Sequence, residues 1–150
     1  MFFQKKKVLK AVANGQIIPL SEVNDEVFSA KMMGAGFAIK DHDGRIHAPI
    51  SGKIESVFPT LHAITIKANN GVMVLVHMGL DTVDLKGEPF DLLVHQGDLV
   101  SEGQEIARMN LKLLTEKNKD STVIVVLPDV QNGTVTESTT SSISDIAFKF

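Results

Sequence analysis

Strong β-strand signals lie in His62-Ala63-Ile64-Thr65-Ile66-Lys67-Ala68-Asn69-Asn70-Gly71-Val72-Met73-Val74-Leu75-Val76-His77. Apolar and β-branched residues lie on both sides of Asn69-Asn70-Gly71, and such runs are typical of β-strands. Asn and Gly tolerate the positive φ angles of a tight turn, so the stretch predicts a β-hairpin with its turn near Asn70-Gly71.

The two histidines at the ends of this hairpin are its candidate functional residues. A two-residue loop would place His77 opposite Ile64 with His62 on the diagonal, and a four-residue loop would place His62 opposite His77. Both registers put the imidazoles on one face, and only a loop of odd length would separate them, because a slip of one residue turns every side chain over. Opposed residues have Cβ atoms about 4.5–5.5 Å apart, so the rings would share one small anion or one metal. Thr60 has the parity of His62 and would add a hydroxyl. The alternative is a hydrogen-bonded surface pair.

Further strand-like segments continue along the chain between Gly, Asn, Asp and Pro residues. They are 16–20, 37–40, 53–58, 122–127 and a closing segment at 143–150. Helix is expected only at 25–33, after a cap at Asn24, and around 111–117. The pattern predicts an all-β fold, an antiparallel β-sandwich or flattened barrel with one or two short helices.

The composition limits the chemistry and the kinds of partner. The 150 residues include five His and no Cys, so thiol chemistry, a disulfide framework and Cys-ligated zinc are excluded. Fifteen basic and eighteen acidic side chains leave a formal charge of −3, which is not the basic footprint of a nucleic-acid binder. The longest apolar runs hold five residues, far below the roughly 18 that a membrane-spanning helix needs, so a cytoplasmic protein is expected.

The domain organisation is predicted as a flexible N-terminal tail, residues 1–10, and a single domain over residues 11–150. A chain of this length fits one domain. Lys5, Lys6 and Lys7 beside Phe2 and Phe3 predict a solvated tail, with weak contact to an anionic membrane surface as the alternative.

Several short motifs along the chain carry a resemblance to a known family. They are Phe28-Ser29-Ala30-Lys31-Met32-Met33-Gly34, Gly36-Phe37-Ala38-Ile39-Lys40, Ala48-Pro49, Gly52, Thr60, His62 and Val74-Leu75-Val76-His77-Met78-Gly79-Leu80-Asp81-Thr82-Val83-Asp84-Leu85-Lys86-Gly87-Glu88-Pro89-Phe90. In this order, over roughly residues 11–128, they resemble the glucose-type enzyme IIA components of the bacterial phosphoenolpyruvate-dependent sugar phosphotransferase system. The resemblance also implies an antiparallel β-sandwich.

The resemblance implies a phosphocarrier that works in trans as a free-standing subunit. His77 would accept a phosphoryl group from the carrier protein HPr and pass it to a Cys of an enzyme IIB domain of a sugar permease, while His62 would help to hold the phosphate. Asp81 would lie near the site and Asp25 at its rim. From the residues alone, Asp81 would equally cap a turn and Asp25 would equally cap the short helix.

The resemblance further implies an apolar collar around the two histidines on which HPr and the IIB domain dock. Its residues are Val27, Phe28, Met32, Met33, Phe58, Leu75 and Val83. Without the resemblance these residues would be assigned to the core. His42 and His95 are expected to be solvated, and His47 to be structural or exposed. No cofactor and no metal are expected, and regulatory targets are possible further partners.

Two alternatives belong to other functional classes. Paired imidazoles suit zinc, so a zinc-binding hydrolase is one, although only His77, Asp81 and His62 offer themselves as ligands. A catalytically idle regulatory protein on the same fold is the other.

Overall fold

The computed structural model describes residues 7–150 and confirms the all-β prediction. Its strands are β1 (Val8–Lys10), β2 (Gly15–Pro19), β3 (Ala35–Lys40), β4 (Arg45–His47), β5 (Gly52–Val57), β6 (Ala63–Ala68), β7 (Met73–Met78), β8 (Phe90–Leu92), β9 (Leu99–Val100), β10 (Glu105–Met109), β11 (Val123–Leu127), β12 (Thr134–Val135), β13 (Ser138–Ser141) and β14 (Ile146–Lys149). The helices are α1 (Glu26–Ser29) and α2 (Leu111–Glu116), with 3₁₀ turns at Leu20–Glu22 and Thr82–Leu85.

The strands of the described residues form three antiparallel sheets. The large sheet has eight strands in the order β13-β2-β3-β11-β7-β6-β5-β9 and contains the predicted hairpin as β6 and β7. The two small sheets have the orders β4-β10-β8 and β1-β14-β12. The main core lies between the large sheet and the small ones, because Phe37, Val76 and Val125 of the first share a buried cluster with Ile46 and Phe148 of the others.

The opposite face of the large sheet carries a smaller buried cluster. Ala63 and Ile124 contribute to it from the sheet, and Leu20 and Phe28 cover them from the segment after β2. His77 lies on this second face, since it pairs with Ala63 on one side and with Ile124 on the other and directly paired residues share a face.

The hairpin loop holds three residues, 69–71. The Ala68 N–H donates to the Val72 carbonyl at 2.8 Å, and Gly71 takes a φ of 89°, as in hairpin loops that end with a residue in the left-handed region. His77 therefore stands opposite Ala63. The prediction of a two- or four-residue loop is wrong, and with it the register that placed both histidines on one face.

His62 lies outside the strand, and a turn positions it instead. Leu61 takes a φ of 61°, and β6 begins only at Ala63. The His62 carbonyl still accepts the Met78 N–H at 2.7 Å, which fixes its backbone beside β7. Because strand alternation does not govern a turn residue, the side chain of His62 is turned toward His77 in spite of the register.

The N-terminal boundary differs from the prediction. Val8–Lys10, assigned to a flexible tail by the sequence, forms a strand against β14 with Leu9 fully buried. Burial of one large aliphatic side chain in the core gives this segment a fixed place. The predicted contact of residues 1–6 with a membrane lies outside the described residues. At the other end, β14 confirms the closing strand.

Of the two predicted helices, α2 agrees with the prediction around 111–117 to within one residue, whereas α1 is shorter than the sequence pattern suggested. The first ends at Ser29 and not near Met33, since Lys31 takes a φ of 59° and breaks the helical path. Its cap is Asp25 and not Asn24. No helix of residues 7–150 is long and apolar enough to cross a membrane.

Candidate active site

The two histidines that the sequence singled out lie side by side. Their ring centroids are 5.0 Å apart, with the ring planes at 78°. His62 is only 7% exposed and His77 is half-buried. The predicted proximity is therefore present, although the turn before β6 produces it and the hairpin register does not.

Each ring has its Nδ1 engaged in a hydrogen bond. His77 Nδ1 lies 2.8 Å from the Gly79 carbonyl oxygen, which can only accept, so this nitrogen carries the proton. His62 Nδ1 lies 2.6 Å from the hydroxyl of Thr60. Thr60 thus lies beside His62 as expected, but both residues belong to the turn between β5 and β6, so strand parity is not the reason. Within the described residues no hydrogen bond engages the Nε2 of either ring. His77 Nε2 consequently keeps its lone pair when the ring is neutral.

The surroundings favour neutral imidazoles. Burial lowers the pKa of His77, and the proximity of His62 lowers it further, against smaller opposing effects of the Gly79 hydrogen bond, Asp25 and Asp81. Burial likewise lowers the pKa of His62. Both rings are therefore mainly neutral at pH 7, the form in which a ring nitrogen is a nucleophile.

Two phenylalanines pack against the two imidazoles. The ring of Phe28 lies 5.0 Å from that of His77, tilted at 58°, and the ring of Phe58 lies 5.3 Å from that of His62 in an edge-on arrangement. Phe28 is buried, as is Leu75. The prediction of these two residues as docking residues is wrong: both belong to the small buried cluster of the outer face, to which Leu75 contributes from β7 and Phe28 from α1.

The other five predicted collar residues are exposed, although all are apolar. They are Val27, Met32, Met33, Phe58 and Val83. They come from the three segments that carry or flank the histidine pair: the α1 region, the turn after β5 and the 3₁₀ turn after β7. Exposed apolar side chains concentrated around a polar site are typical of docking surfaces.

The two acidic residues differ in their local roles. Asp25 caps α1, where its carboxylate accepts the N–H groups of Val27 at 2.9 Å and Phe28 at 3.4 Å. Asp81 is exposed, has a φ of 56° and makes no capping bond with its side chain. The turn-capping alternative for Asp81 is therefore not supported, whereas Asp25 caps the helix. Both carboxylates oppose the lowering of the His77 pKa.

The remaining histidines lie elsewhere. His42, expected to be solvated, is instead buried: its Nδ1 accepts the Gly44 N–H at 3.0 Å, and its Nε2 therefore donates to the Ser121 carbonyl at 2.7 Å. His47 bonds the Val12 carbonyl, and His95 is exposed. Within residues 7–150 no three His, Asp or Glu side chains are grouped to hold a metal ion, so the zinc alternative has no ligand set there.

The chain matches the model of a known protein family. The family model of the phosphoenolpyruvate-dependent sugar phosphotransferase system, EIIA 1, matches residues 7–132. The chain belongs to this EIIA family. Membership supports a phosphocarrier role in sugar uptake by this system.

Individual EIIA proteins agree with this membership. The chain is 42% identical over 128 residues to the glucose-specific EIIA component of Staphylococcus aureus, covering 84% of this chain and 77% of that protein. It is 39% identical over 128 residues to the glucoside-specific EIICBA component of Staphylococcus carnosus, covering 85% of this chain and 18% of that protein. The solved structure of glucose permease IIA from Mycoplasma capricolum matches with a TM-score of 0.88 at 36% identity, over 99% of this chain and 97% of that one. The antiparallel fold is thus an EIIA fold.

The sequence interpretation missed two groups beside the histidine pair, a backbone carbonyl and a side-chain hydroxyl. The Gly79 carbonyl holds His77, and the hydroxyl of Thr82 holds the preceding carbonyl, of Met78, at 2.6 Å. A backbone carbonyl leaves no signature in the sequence. Thr82 could have been noticed, because it is the one hydroxyl residue in a turn that is otherwise acidic and apolar. The sequence does not show, however, which group its hydroxyl contacts.

Proposed function

We propose that this protein accepts a phosphoryl group from the phosphohistidine of HPr on Nε2 of His77 and transfers it to a Cys of an enzyme IIB domain of a sugar permease. The observation that carries the proposal is the bond from His77 Nδ1 to the Gly79 carbonyl. This bond leaves Nε2 as the nucleophilic nitrogen of a ring that stands beside a second imidazole.

The first transfer needs no proton to move. The lone pair of His77 Nε2 forms a bond to phosphorus while the P–N bond to the donor imidazole breaks, and that electron pair returns to the donor nitrogen. The His77 ring then carries Nδ1–H and a phosphorylated Nε2, so it gains positive character that the Gly79 carbonyl stabilises. In the second transfer a thiolate forms a bond to phosphorus, and the P–N electrons return to Nε2.

His62 and Thr60 would stabilise the charge that spreads over the phosphoryl oxygens. If Thr60 donates its hydroxyl to His62 Nδ1 across their 2.6 Å contact, the ring proton sits on Nε2. That N–H is then a donor beside His77. Phosphoryl transfer gains most of its acceleration from positioning and from such donors.

Protein partners would dock on the five exposed apolar residues around the pair. The chain has no Cys, so the thiolate must belong to another domain or protein. The name EIICBA of the Staphylococcus carnosus relative joins components C, B and A, which supports a IIB domain as the acceptor. Regulatory targets, contact with a membrane surface and a cytoplasmic location stay predictions.

The test is phosphorylation in a purified system. The protein is incubated with phosphoenolpyruvate, enzyme I and HPr, and its intact mass is followed before and after mild acid. One acid-labile phosphoryl group is expected, His77→Ala removes it, and His62→Ala retains some labelling but slows passage to a IIB domain. His95→Ala is the matched control, because this histidine is exposed and takes no part in the site. Unchanged labelling of the His77 variant would refute the assignment.

A further inference from the structure

The chain makes a sharp bend directly after His77. Gly79 has a φ of 80° and Asp81 a φ of 56°. The bend brings the Gly79 carbonyl back to the ring of the residue two positions earlier, at 2.8 Å from His77 Nδ1. A side chain at position 79 would force a local shift, since its Cβ would lie 2.5 Å from Cγ2 of Thr82.

Hydrogen bonds hold both peptide groups that flank Gly79. The Gly79 N–H donates to the Thr122 carbonyl at 2.9 Å, and the Leu80 N–H donates to the Asp120 carbonyl at 3.0 Å. The Met78 carbonyl accepts the hydroxyl of Thr82 at 2.6 Å. With all of these groups engaged, the direction of the Gly79 carbonyl is fixed.

Thr82 is the side chain in this arrangement that a substitution can test. It has an exposure of 0%, and its hydroxyl, which has no access to water, bonds only a carbonyl next to the site. Buried hydroxyls need such a partner, and their removal leaves the partner carbonyl unsatisfied. The chemistry of phosphoryl transfer does not itself require this group.

We propose that Thr82 is a positioning residue that, through the Met78 and Gly79 peptides, keeps the proton of His77 on Nδ1 and its lone pair on Nε2. The proposal rests on the proposed function, in which Nε2 is the attacking nitrogen. The hydrogen bond made by one ring nitrogen determines which nitrogen carries the proton. Once the Gly79 carbonyl loses its direction, the ring exchanges between tautomers, and a ring with Nε2–H has no lone pair at the attacking position.

Two variants separate this role from simple packing. Thr82→Val keeps the branched shape and removes the hydroxyl, whereas Thr82→Ser keeps the hydroxyl and removes the methyl group. The matched control is Thr115→Val in α2, because Thr115 also donates to the carbonyl four residues earlier, that of Leu111, but is exposed. Unfolding temperatures of all three confirm that folded proteins are compared.

The experiment has two readouts. The tautomer of His77 is read from its ring nitrogen resonances in ¹⁵N-labelled protein, and the rate of loading is measured at saturating phospho-HPr. Thr82→Val is expected to give a mixture of tautomers and a kcat lower by roughly tenfold or more, as small misplacements of reacting groups do, with KM unchanged. Thr82→Ser and Thr115→Val should retain the wild-type tautomer and rate.

The outcomes distinguish the two proposals. A folded Thr82→Val protein with the wild-type tautomer, or a Thr82→Ser protein as impaired as Thr82→Val, overturns the positioning role. If wild-type protein accepts no phosphoryl group, the proposed function fails, but the tautomer measurement still decides whether Thr82 sets the state of the His77 ring.

Discussion

The ring of Phe28 covers the ring of His77, with centroids 5.0 Å apart. Phe28 is buried and contributes with Leu20 to the small outer core, so the imidazole stands at the edge of an apolar cluster and not in open solvent. Burial is the largest influence on the pKa of His77 and lowers it. The same packing that stabilises the outer face thus favours the neutral form of the His77 ring.

The pH dependence of His77 follows from this lowered pKa. A free histidine becomes half protonated near pH 6.5, whereas His77 should remain neutral to a lower pH. Loading from phospho-HPr is therefore expected to fall to half of its maximum only below pH 6.5. An NMR titration of the His77 ring gives the midpoint independently of the partner proteins.

Phe28→Ala tests whether burial lowers the pKa of His77. The substitution admits water to the His77 ring and should raise the midpoint of its titration toward 6.5. A midpoint at or above 6.5 in the wild type would contradict the prediction. The lowered pKa of His77 also makes the stability of the fold depend on pH. Between the two midpoints the unfolded chain binds more protons than the folded one, so the free energy of unfolding falls as the pH drops below about 6.5.

Asp25 offers a way to change the charge near His77 without changing the helix. Asp25→Asn keeps an N-cap of equal quality, whereas Asp25→Ala removes the cap at a cost of about 1 kcal/mol. Because Asp25 raises the pKa of His77, both variants should lower the midpoint of the ring titration further. Only Asp25→Ala should lower the unfolding temperature. If Asp25→Ala lowered the pKa of His77 and Asp25→Asn did not, the electrostatic role of Asp25 would be disproved.

The sequence was sufficient for the fold class and for the choice of histidines, because strand-forming runs and Gly-containing turns are local signals. It was not sufficient for the register. A loop of three residues and a loop of two differ by one turn residue, and Gly71 is compatible with both. The prediction placed His62 next to His77 for a wrong reason, since the turn at Leu61 and not the strand pairing turns its side chain.

The sequence also did not indicate which apolar residues are buried on the outer face of the large sheet. Phe28 and Met32 belong to one short segment with similar apolar character, yet Phe28 is buried and Met32 is 71% exposed. The difference arises because α1 ends after one turn and Lys31 takes a left-handed conformation. Asp25 and not Asn24 caps the helix, and both residue types are good N-caps, so the sequence pattern does not distinguish them.

Met32 provides a test of the proposed docking surface. Met32→Asp places a charge on an exposed apolar position, so it should raise KM for phospho-HPr by tenfold or more, equivalent to about 1.4 kcal/mol of binding free energy, with kcat little changed. The free energy of unfolding should change by no more than about 0.5 kcal/mol. Leu99→Asp is the matched control, because Leu99 is 80% exposed but belongs to β9 at the edge of the large sheet. Equal effects of the two variants would argue against a localised docking surface.

Gly79→Ala tests the bend after His77, and Gly71→Ala is its matched control. Both have positive φ angles, 80° and 89°, so alanine at either position meets the left-handed penalty of about 1–2 kcal/mol. A Cβ at position 71 would meet nothing within 4 Å, whereas at position 79 it would lie 2.5 Å from Cγ2 of Thr82. Gly79→Ala should therefore lose an additional 1–3 kcal/mol or so from overpacking.

The comparison is made by urea unfolding of both variants, with equal m values required. Loading from phospho-HPr at a temperature where both are folded supplies the second measurement. Gly71→Ala should load normally, because the hairpin tip is remote from the histidine rings along β6 and β7. Gly79→Ala should load slowly, because any shift that relieves the clash with Thr82 also moves the carbonyl that holds His77. Equal stability losses and equal rates in the two variants would mean that the bend is not held as tightly as its hydrogen bonds indicate.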